Sequence, residues 1–243
     1  MGSDGSFFST SMLLVSRYCR ASMAQAGLFI TFEGSEGCGK STQIRRLSEF
    51  LRSLEREVVV LREPGGTPIG ESIRNLLQFD KSAAAMTPEA ELLLFAASRA
   101  QLVRELIRPA LARGAVVLCD RFLDSTTVYQ GVARALDSSE VRAINDFAVG
   151  ETLPDLTLLL DLDAAEGRRR AAMRKGPADR MEQEGESFYE AVREGYLKLA
   201  AEDSGRFVLI DASSDEEGVE SAIRNVLQER FQISGKGEAY GIH

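Results

Sequence analysis

Residues 28–42 read LFITFEGSEGCGKST, and three features meet there. Leu28–Phe32 is a short apolar and aromatic run that reads as a strand. Gly34-Ser35-Glu36-Gly37-Cys38-Gly39-Lys40-Ser41 fits the spacing G-x-x-x-x-G-K-[ST]. Lys40–Glu55 then places Ile44, Leu47, Leu51 and Leu54 on one helical face. A strand before the loop and a helix after it are the setting in which this spacing holds nucleotide phosphates. The glycines let backbone N–H groups from Gly34 to Thr42 turn inward, and the helix start adds the positive end of its dipole. Lys40 is expected to reach the β- and γ-phosphates from an exposed position, and the Ser41 hydroxyl to ligate Mg²⁺. Glu36 is the odd residue, an anion inside a loop built for anions. A carboxylate aimed at phosphates would repel them, so Glu36 has to serve something else.

Outward from this loop the chain alternates. Val58–Leu61 reads as a second strand, a continuous apolar run of the sort a parallel sheet buries on both faces. Thr87 caps a long helix with Pro88 in its first position and Glu89 and Glu91 near its positive end. Gly114 closes that helical region, Ala115–Cys119 is a third strand, Leu156–Leu162 a fourth and Phe207–Ile210 a fifth, before a final amphipathic helix over Val219–Phe231. Strands separated by helices predict an α/β fold, a five-stranded parallel sheet with helices on both faces. Ligands bind beyond the C-terminal strand ends of such sheets. Glu33, Glu63, Asp120, Asp161 and Asp163 fall at those ends.

The 243 residues suit one domain, expected over residues 27–233, with a leader over 1–26 and a tail over 234–243. The leader reads as a weak transit-like peptide or, as preferred here, an upstream extension ahead of a natural start at Met23. A formal net charge of −8 argues against non-specific nucleic-acid binding, so any phosphate must be held by local groups. Cys19, Cys38 and Cys119 have no metal spacing and read as free thiols of a reducing compartment. No apolar run reaches membrane-spanning length.

A phosphate loop alone covers ATPases, GTPases, kinases and motors. No N/T-K-x-D guanine box is present, and the chain is small for a motor. Three further stretches describe a second pocket, as a kinase needs for its acceptor. Leu61-Arg62-Glu63-Pro64-Gly65-Gly66-Thr67 turns the chain sharply after the second strand. Phe95 and Arg99 lie one helical turn apart, able to stack a base and donate to a carbonyl on its edge; the alternative is a core ring and a solvated charge. Asp120-Arg121-Phe122 follows the third strand, where Arg121 suits a phosphate and Asp120 helps hold Mg²⁺; the alternative is an ion pair between the two.

The stretches FITFEGSEGCGKSTQ, LREPGGTPIGE, LLLFAASRAQ, DRFLDSTTVYQG and DRMEQEGESFYEAVREGYLKLA occur in the order found in bacterial thymidylate kinases, and the chain resembles that family from about Gly27 to its final helix. The resemblance implies phosphoryl transfer from ATP to dTMP with Mg²⁺, a cytoplasmic homodimer and a mobile lid, here Ala164–Gly185. It implies that Glu36 accepts a hydrogen bond from the acceptor's 3′-hydroxyl, that Phe95 stacks on thymine and that Arg99 bonds its O4. Arg121 would grip the dTMP phosphate, with Arg74 as a second ligand. Thr126 and Gln130 would line the dTMP site and Tyr129 would pack against C2′ of the sugar. Eukaryotic relatives carry a catalytic arginine in the phosphate loop where this chain has Gly37, so the lid arginines, Arg170 and Arg174 first, are expected to supply that charge. Two rivals remain: a kinase for another nucleoside monophosphate, and a non-catalytic nucleotide-dependent switch.

Overall fold

The run Leu28–Phe32 becomes the middle of the sheet. In the computed structural model, which describes residues 27–173 and 185–235, β1 (Leu28–Glu33), β2 (Val58–Arg62), β3 (Val116–Asp120), β4 (Leu156–Asp161) and β5 (Phe207–Asp211) form one parallel sheet in the order β2-β3-β1-β4-β5. Nine α-helices are described: α1 (Lys40–Ser53), α2 (Pro68–Gln78), α3 (Pro88–Leu102), α4 (Arg108–Ala112), α5 (Leu123–Thr126), α6 (Ser138–Val149), α7 (Ala164–Ala172), α8 (Glu186–Glu202) and α9 (Glu216–Phe231). The leader, residues 174–184 with the predicted lid residue Arg174, and residues 236–243 lie outside the described residues.

Alternation along β1 sorts the core. Leu28, Ile30 and Phe32 face one side, where Ile44, Leu47 and Leu51 of α1 and Ile223 and Leu227 of α9 cover them. Phe29 faces the other side, among Leu102, Val103, Ile107 and Val117, with its ring 5.0 Å edge-on to Phe122. Each such side chain contributes about 1.5–3 kcal/mol by leaving water. Thr31 is polar within this buried strand, and its hydroxyl is satisfied by that of Thr157 on β4, 2.9 Å away.

The second strand departs from expectation. β2 is an edge strand, paired to β3 alone, and Val60 is 44% exposed. An apolar run specifies a strand; it does not specify how many neighbours the strand has.

Thr87 caps α3 as expected, its Oγ1 accepting from the Ala90 N–H at 3.4 Å. The rod continues through a wide, π-helical turn at Val103–Ile107 into α4. Pro109 has no N–H to offer the helix there. A second wide turn, Thr127–Ala133, follows α5 and carries Tyr129 and Gln130. The parallel register brings the functional ends together: Phe32 of β1 and Arg62 of β2 both align with Asp120 of β3.

Candidate active site

The loop after β1 keeps its shape through glycine. Gly34, Gly37 and Gly39 have φ of 135°, 75° and 94°, a region that residues with a Cβ avoid. Gly39 leads directly into α1. Lys40 is not exposed as expected. It is 7% accessible, and its ammonium donates to the carbonyls of Gly34 (3.1 Å) and Ser35 (2.8 Å). A buried cation needs acceptors, and the loop's own carbonyls supply them.

At the end of β3, Asp120 and Arg121 do not pair with each other as the simpler alternative had it. Asp120 Oδ2 accepts from the Ser41 hydroxyl at 3.1 Å. Arg121, at φ 67°, turns its guanidinium to the phosphate loop, donating to the Gly34 carbonyl at 3.0 Å and forming an ion pair with Glu36. Glu36 is therefore engaged by Arg121 and is largely screened from water.

A cavity of about 460 Å³ opens between these elements, lined by Glu36, Lys40, Ser41 and Thr42 of the phosphate loop and α1 and by Phe95, Arg121 and Tyr129. Asp120, Arg74, Thr126 and Gln130 also border it. Arg74 is steadied by the Pro64 carbonyl at 3.1 Å. Gln130 is buried and donates to the buried Glu91 at 2.8 Å. Tyr129 is 5% exposed, with the Arg121 guanidinium 5.0 Å from its ring centre. Its hydroxyl has no hydrogen-bond partner among the described residues, and burial pushes its pKa up.

Arg99 differs from the exposed donor that its spacing to Phe95 suggested. It is 1% exposed and lies behind the cavity wall. Its guanidinium donates to Glu63 (2.8 Å), Asn145 (2.7 Å), Thr126 (2.8 Å) and the Phe122 carbonyl (3.3 Å). A buried charge survives only with such partners. Glu63, equally buried, keeps one carboxylate oxygen without a partner, and burial raises its pKa despite Arg99.

The described part of the lid begins against the phosphate loop. A Cβ on Gly37 would sit 2.0 Å from the Gly167 carbonyl oxygen of α7, and one on Gly167 would sit 2.5 Å from that of Glu36. Arg170 does not line the cavity. It donates to Glu166 (2.7 Å), its neighbour one turn back, and to the Ala212 carbonyl (3.2 Å). Arg169 and Arg170 together pull the Glu166 carboxyl down to about 2. Of the other strand-end acids, Asp161 is gripped by Arg193 through both oxygens (2.7 and 2.9 Å), and Asp163 caps α7.

Sequence reasoning placed Glu33 at a strand end but gave it no task, and it passed over Tyr196. Glu33 is fully buried. It accepts from the Phe122 N–H (2.7 Å), Ser125 Oγ (2.6 Å) and the Tyr196 hydroxyl (2.8 Å). Burial, with the nearby Asp124 charge, lifts its carboxyl to about 7. Tyr196 arrives from α8, and nothing local in the sequence joins the two.

A sequence model of the family described as Thymidylate kinase matches residues 32–223. The chain is 51% identical to the thymidylate kinase of Geobacter sulfurreducens over 209 residues, 84% of this chain and 98% of that one. It is 49% identical to that of Pseudomonas fluorescens over 208 residues, 86% and 98% of the two chains. A crystal structure of thymidylate kinase from Ehrlichia chaffeensis superposes with a TM-score of 0.69 at 34% identity, covering 84% of this chain and all (100%) of that one.

Proposed function

The chain belongs to the thymidylate kinase family, and on that premise we propose how it transfers a phosphoryl group from ATP to dTMP, giving dTDP and ADP. The observation that carries the reading is that one cavity is lined both by Lys40, Ser41 and Thr42 and by Phe95, Arg121 and Tyr129. Phosphate-loop residues and an aromatic-guanidinium wall on one cavity bring a donor and an acceptor site together.

The N–H groups of residues 34–42 hold the donor phosphates, and Lys40 exchanges the Gly34 and Ser35 carbonyls for phosphate oxygens. The acceptor lies with thymine on Phe95 and near Arg99 and Thr126, and with its sugar against Tyr129. Glu36 leaves Arg121 for the 3′-hydroxyl, which donates to it. The freed face of Arg121, with Arg74, takes the acceptor phosphate as a bidentate or paired contact. In a loose transition state the work is alignment and charge stabilisation, and no general base is required. Arg174 is the lid arginine kept for that charge in this proposal, since Arg170 is tied to Glu166 and Ala212.

The hydroxyl of Ser41 and the carboxylate of Asp120 are hard oxygen donors already 3.1 Å apart, a set that fits Mg²⁺. The bound ion would offset the charge of the phosphates. The proposal extends to a homodimer: α3 and α6 pack together and leave Leu93 (56%) and Phe147 (82%) exposed, apolar surface that suits a second copy. Among the described residues no helix is long and apolar enough to cross a membrane; the proposed location is the cytoplasm.

The test is formation of the corresponding nucleoside diphosphate from ATP with dTMP, dUMP, dCMP and AMP in parallel, with and without a chelator. The reading expects dTMP to be turned over fastest and the chelator to stop the reaction. Faster turnover of another monophosphate would transfer the assignment to the rival kinase reading.

A further inference from the structure

Arg121 has two unequal ends. One terminal nitrogen, Nη1, reaches three acceptors: the Gly34 carbonyl (3.0 Å), Ser125 Oγ (3.3 Å) and the Tyr196 hydroxyl (3.3 Å). The other, Nη2, pairs with Glu36, a half-buried residue of the phosphate loop, and among the described residues with no other acceptor. The two hydroxyls on the Nη1 side accept from a cation that can only donate. Both also lie within hydrogen-bond reach of the same oxygen of Glu33, which in its charged form can only accept, and they are 2.8 Å from each other, so at least one donates to Glu33 directly and the other donates to Glu33 or to its neighbour. The other Glu33 oxygen takes the N–H of Phe122, the residue next to Arg121. Glu33 thus holds both the backbone after Arg121 and, one hydroxyl away, its guanidinium.

Nothing in the proposed chemistry uses this buried acid, yet burying a carboxylate is costly unless its bonds repay it. A direct Glu33–Arg121 ion pair would satisfy both charges and neutralise the cation. The intervening hydroxyls instead orient the guanidinium and leave its second end for exchange. We propose that Glu33 is a positioning residue for Arg121: through Ser125 and Tyr196 it fixes the Nη1 end, so that the Nη2 end passes from Glu36 to the acceptor phosphate without the side chain having to reorganise. This rests on the reading that Arg121 binds the dTMP phosphate.

Three variants change the relay while keeping the surrounding shape. Tyr196→Phe keeps the ring in its apolar cluster and removes one hydroxyl. Ser125→Ala removes the other. Glu33→Gln keeps the size, but its amide donates where the carboxylate accepted, so the hydroxyl directions no longer match. Steady-state kinetics at about pH 8, where the carboxyl is charged, should show the KM for dTMP raised about 5- to 10-fold in each single variant, with the KM for ATP unchanged. Adding Glu33→Gln to the Tyr196→Phe, Ser125→Ala double variant should change the dTMP KM less than twofold, because the residues act as one unit.

Arg121→Lys separates the two layers of the argument. Its ammonium cannot keep one end anchored and offer another. If it leaves the dTMP KM unaltered, the phosphate reading fails and the inference goes with it. If it raises that KM while Tyr196→Phe and Ser125→Ala do not, the reading stands and the relay is wrong. A proportional rise in both substrates' KM, with a matching fall in melting temperature, assigns Glu33 to general packing and also overturns the proposal.

Discussion

The ammonium of Lys40 lies 2.8 Å from the carbonyl oxygen of Ser35, inside the loop it is expected to serve. The lysine is therefore held by carbonyls of its own loop. Replacing Lys40 with Ala removes a buried cation together with its acceptors' partner, and the freed carbonyls can turn to water. The stability change should be about 1 kcal/mol or less. Turnover should fall by roughly 10²–10³, the usual cost of one lost charge-stabilising donor. Thermal melting and dTDP formation measure the two separately. Near-normal turnover would remove Lys40 from the donor site.

The approach of Gly37 to Gly167 bears on the missing loop arginine. Gly37 has φ 75°, and a Cβ there would lie 2.0 Å from the Gly167 carbonyl. An arginine at this position therefore collides with α7 while adopting strained backbone. Gly37→Arg should not add catalytic charge; it should cost about 1–3 kcal/mol in stability and displace the start of the lid. Gly167→Ala, whose Cβ meets the Glu36 carbonyl at 2.5 Å, should share the defect in weaker form. Wild-type melting and kcat in Gly37→Arg would mean that the loop and α7 need not touch.

Much of this site was legible in the sequence because its parts are local. The phosphate loop, Asp120-Arg121 and the Phe95–Arg99 pair each fall within one turn or one strand end, and each borders the cavity or its wall. What the sequence hid is pairing across distance. Glu36 and Arg121 are 85 residues apart, and Glu33 and Tyr196 are 163 apart. No spacing rule joins them; only the β1–β3 register and the packing of α8 over the sheet do so. The misjudged exposure of Lys40 and of β2 has the same origin. A residue type states what it can bind, while burial depends on which neighbours the fold supplies.

Phe95 tests the base platform. It lines the cavity, is partly exposed, and belongs to none of the buried apolar clusters. Phe95→Ala should leave melting nearly unchanged and weaken dTMP by about 1–3 kcal/mol, the range for a base stacked on an aromatic ring. ATP affinity should stay within a factor of two. Calorimetric titration of each nucleotide decides: equal losses for both would return Phe95 to a structural role.

Glu33 makes stability depend on pH in a definite direction. Its folded carboxyl is raised from 4.5 to about 7. Between those values the folded chain holds a proton that the unfolded chain has released, so stability falls as pH rises through the window. The full effect, reached above about pH 7, is roughly 3 kcal/mol. Glu33→Gln cannot titrate and lacks this slope. Denaturant unfolding at intervals from about pH 5 to pH 8 should show the variant gaining on the wild type by about that amount as pH rises. Parallel curves would mean that Glu33 stays charged throughout.

Tyr129 combines a packed ring with an idle hydroxyl. The ring is 5% exposed and stacks with the Arg121 guanidinium at 5.0 Å, while the buried hydroxyl has no partner among the described residues. Burying such a group without a hydrogen bond costs about 1–3 kcal/mol, so Tyr129→Phe should be neutral or stabilising. If the ring meets C2′ of the acceptor, a deoxy sugar packs against it and a ribose hydroxyl is pressed into the ring and stripped of water, which disfavours ribothymidine monophosphate by a similar amount. That exclusion depends on ring bulk. Tyr129→Phe should therefore keep the deoxy-to-ribo ratio of kcat/KM within about twofold. Tyr129→Ala should lower the ratio about tenfold or more by opening the space, and should also weaken dTMP itself, since Arg121 loses the surface it lies on. Measuring kcat/KM for both sugars in the three proteins settles the role. An unchanged ratio in Tyr129→Ala would take Tyr129 out of the sugar pocket and leave it as the packing partner of Arg121, Phe188 and Tyr196.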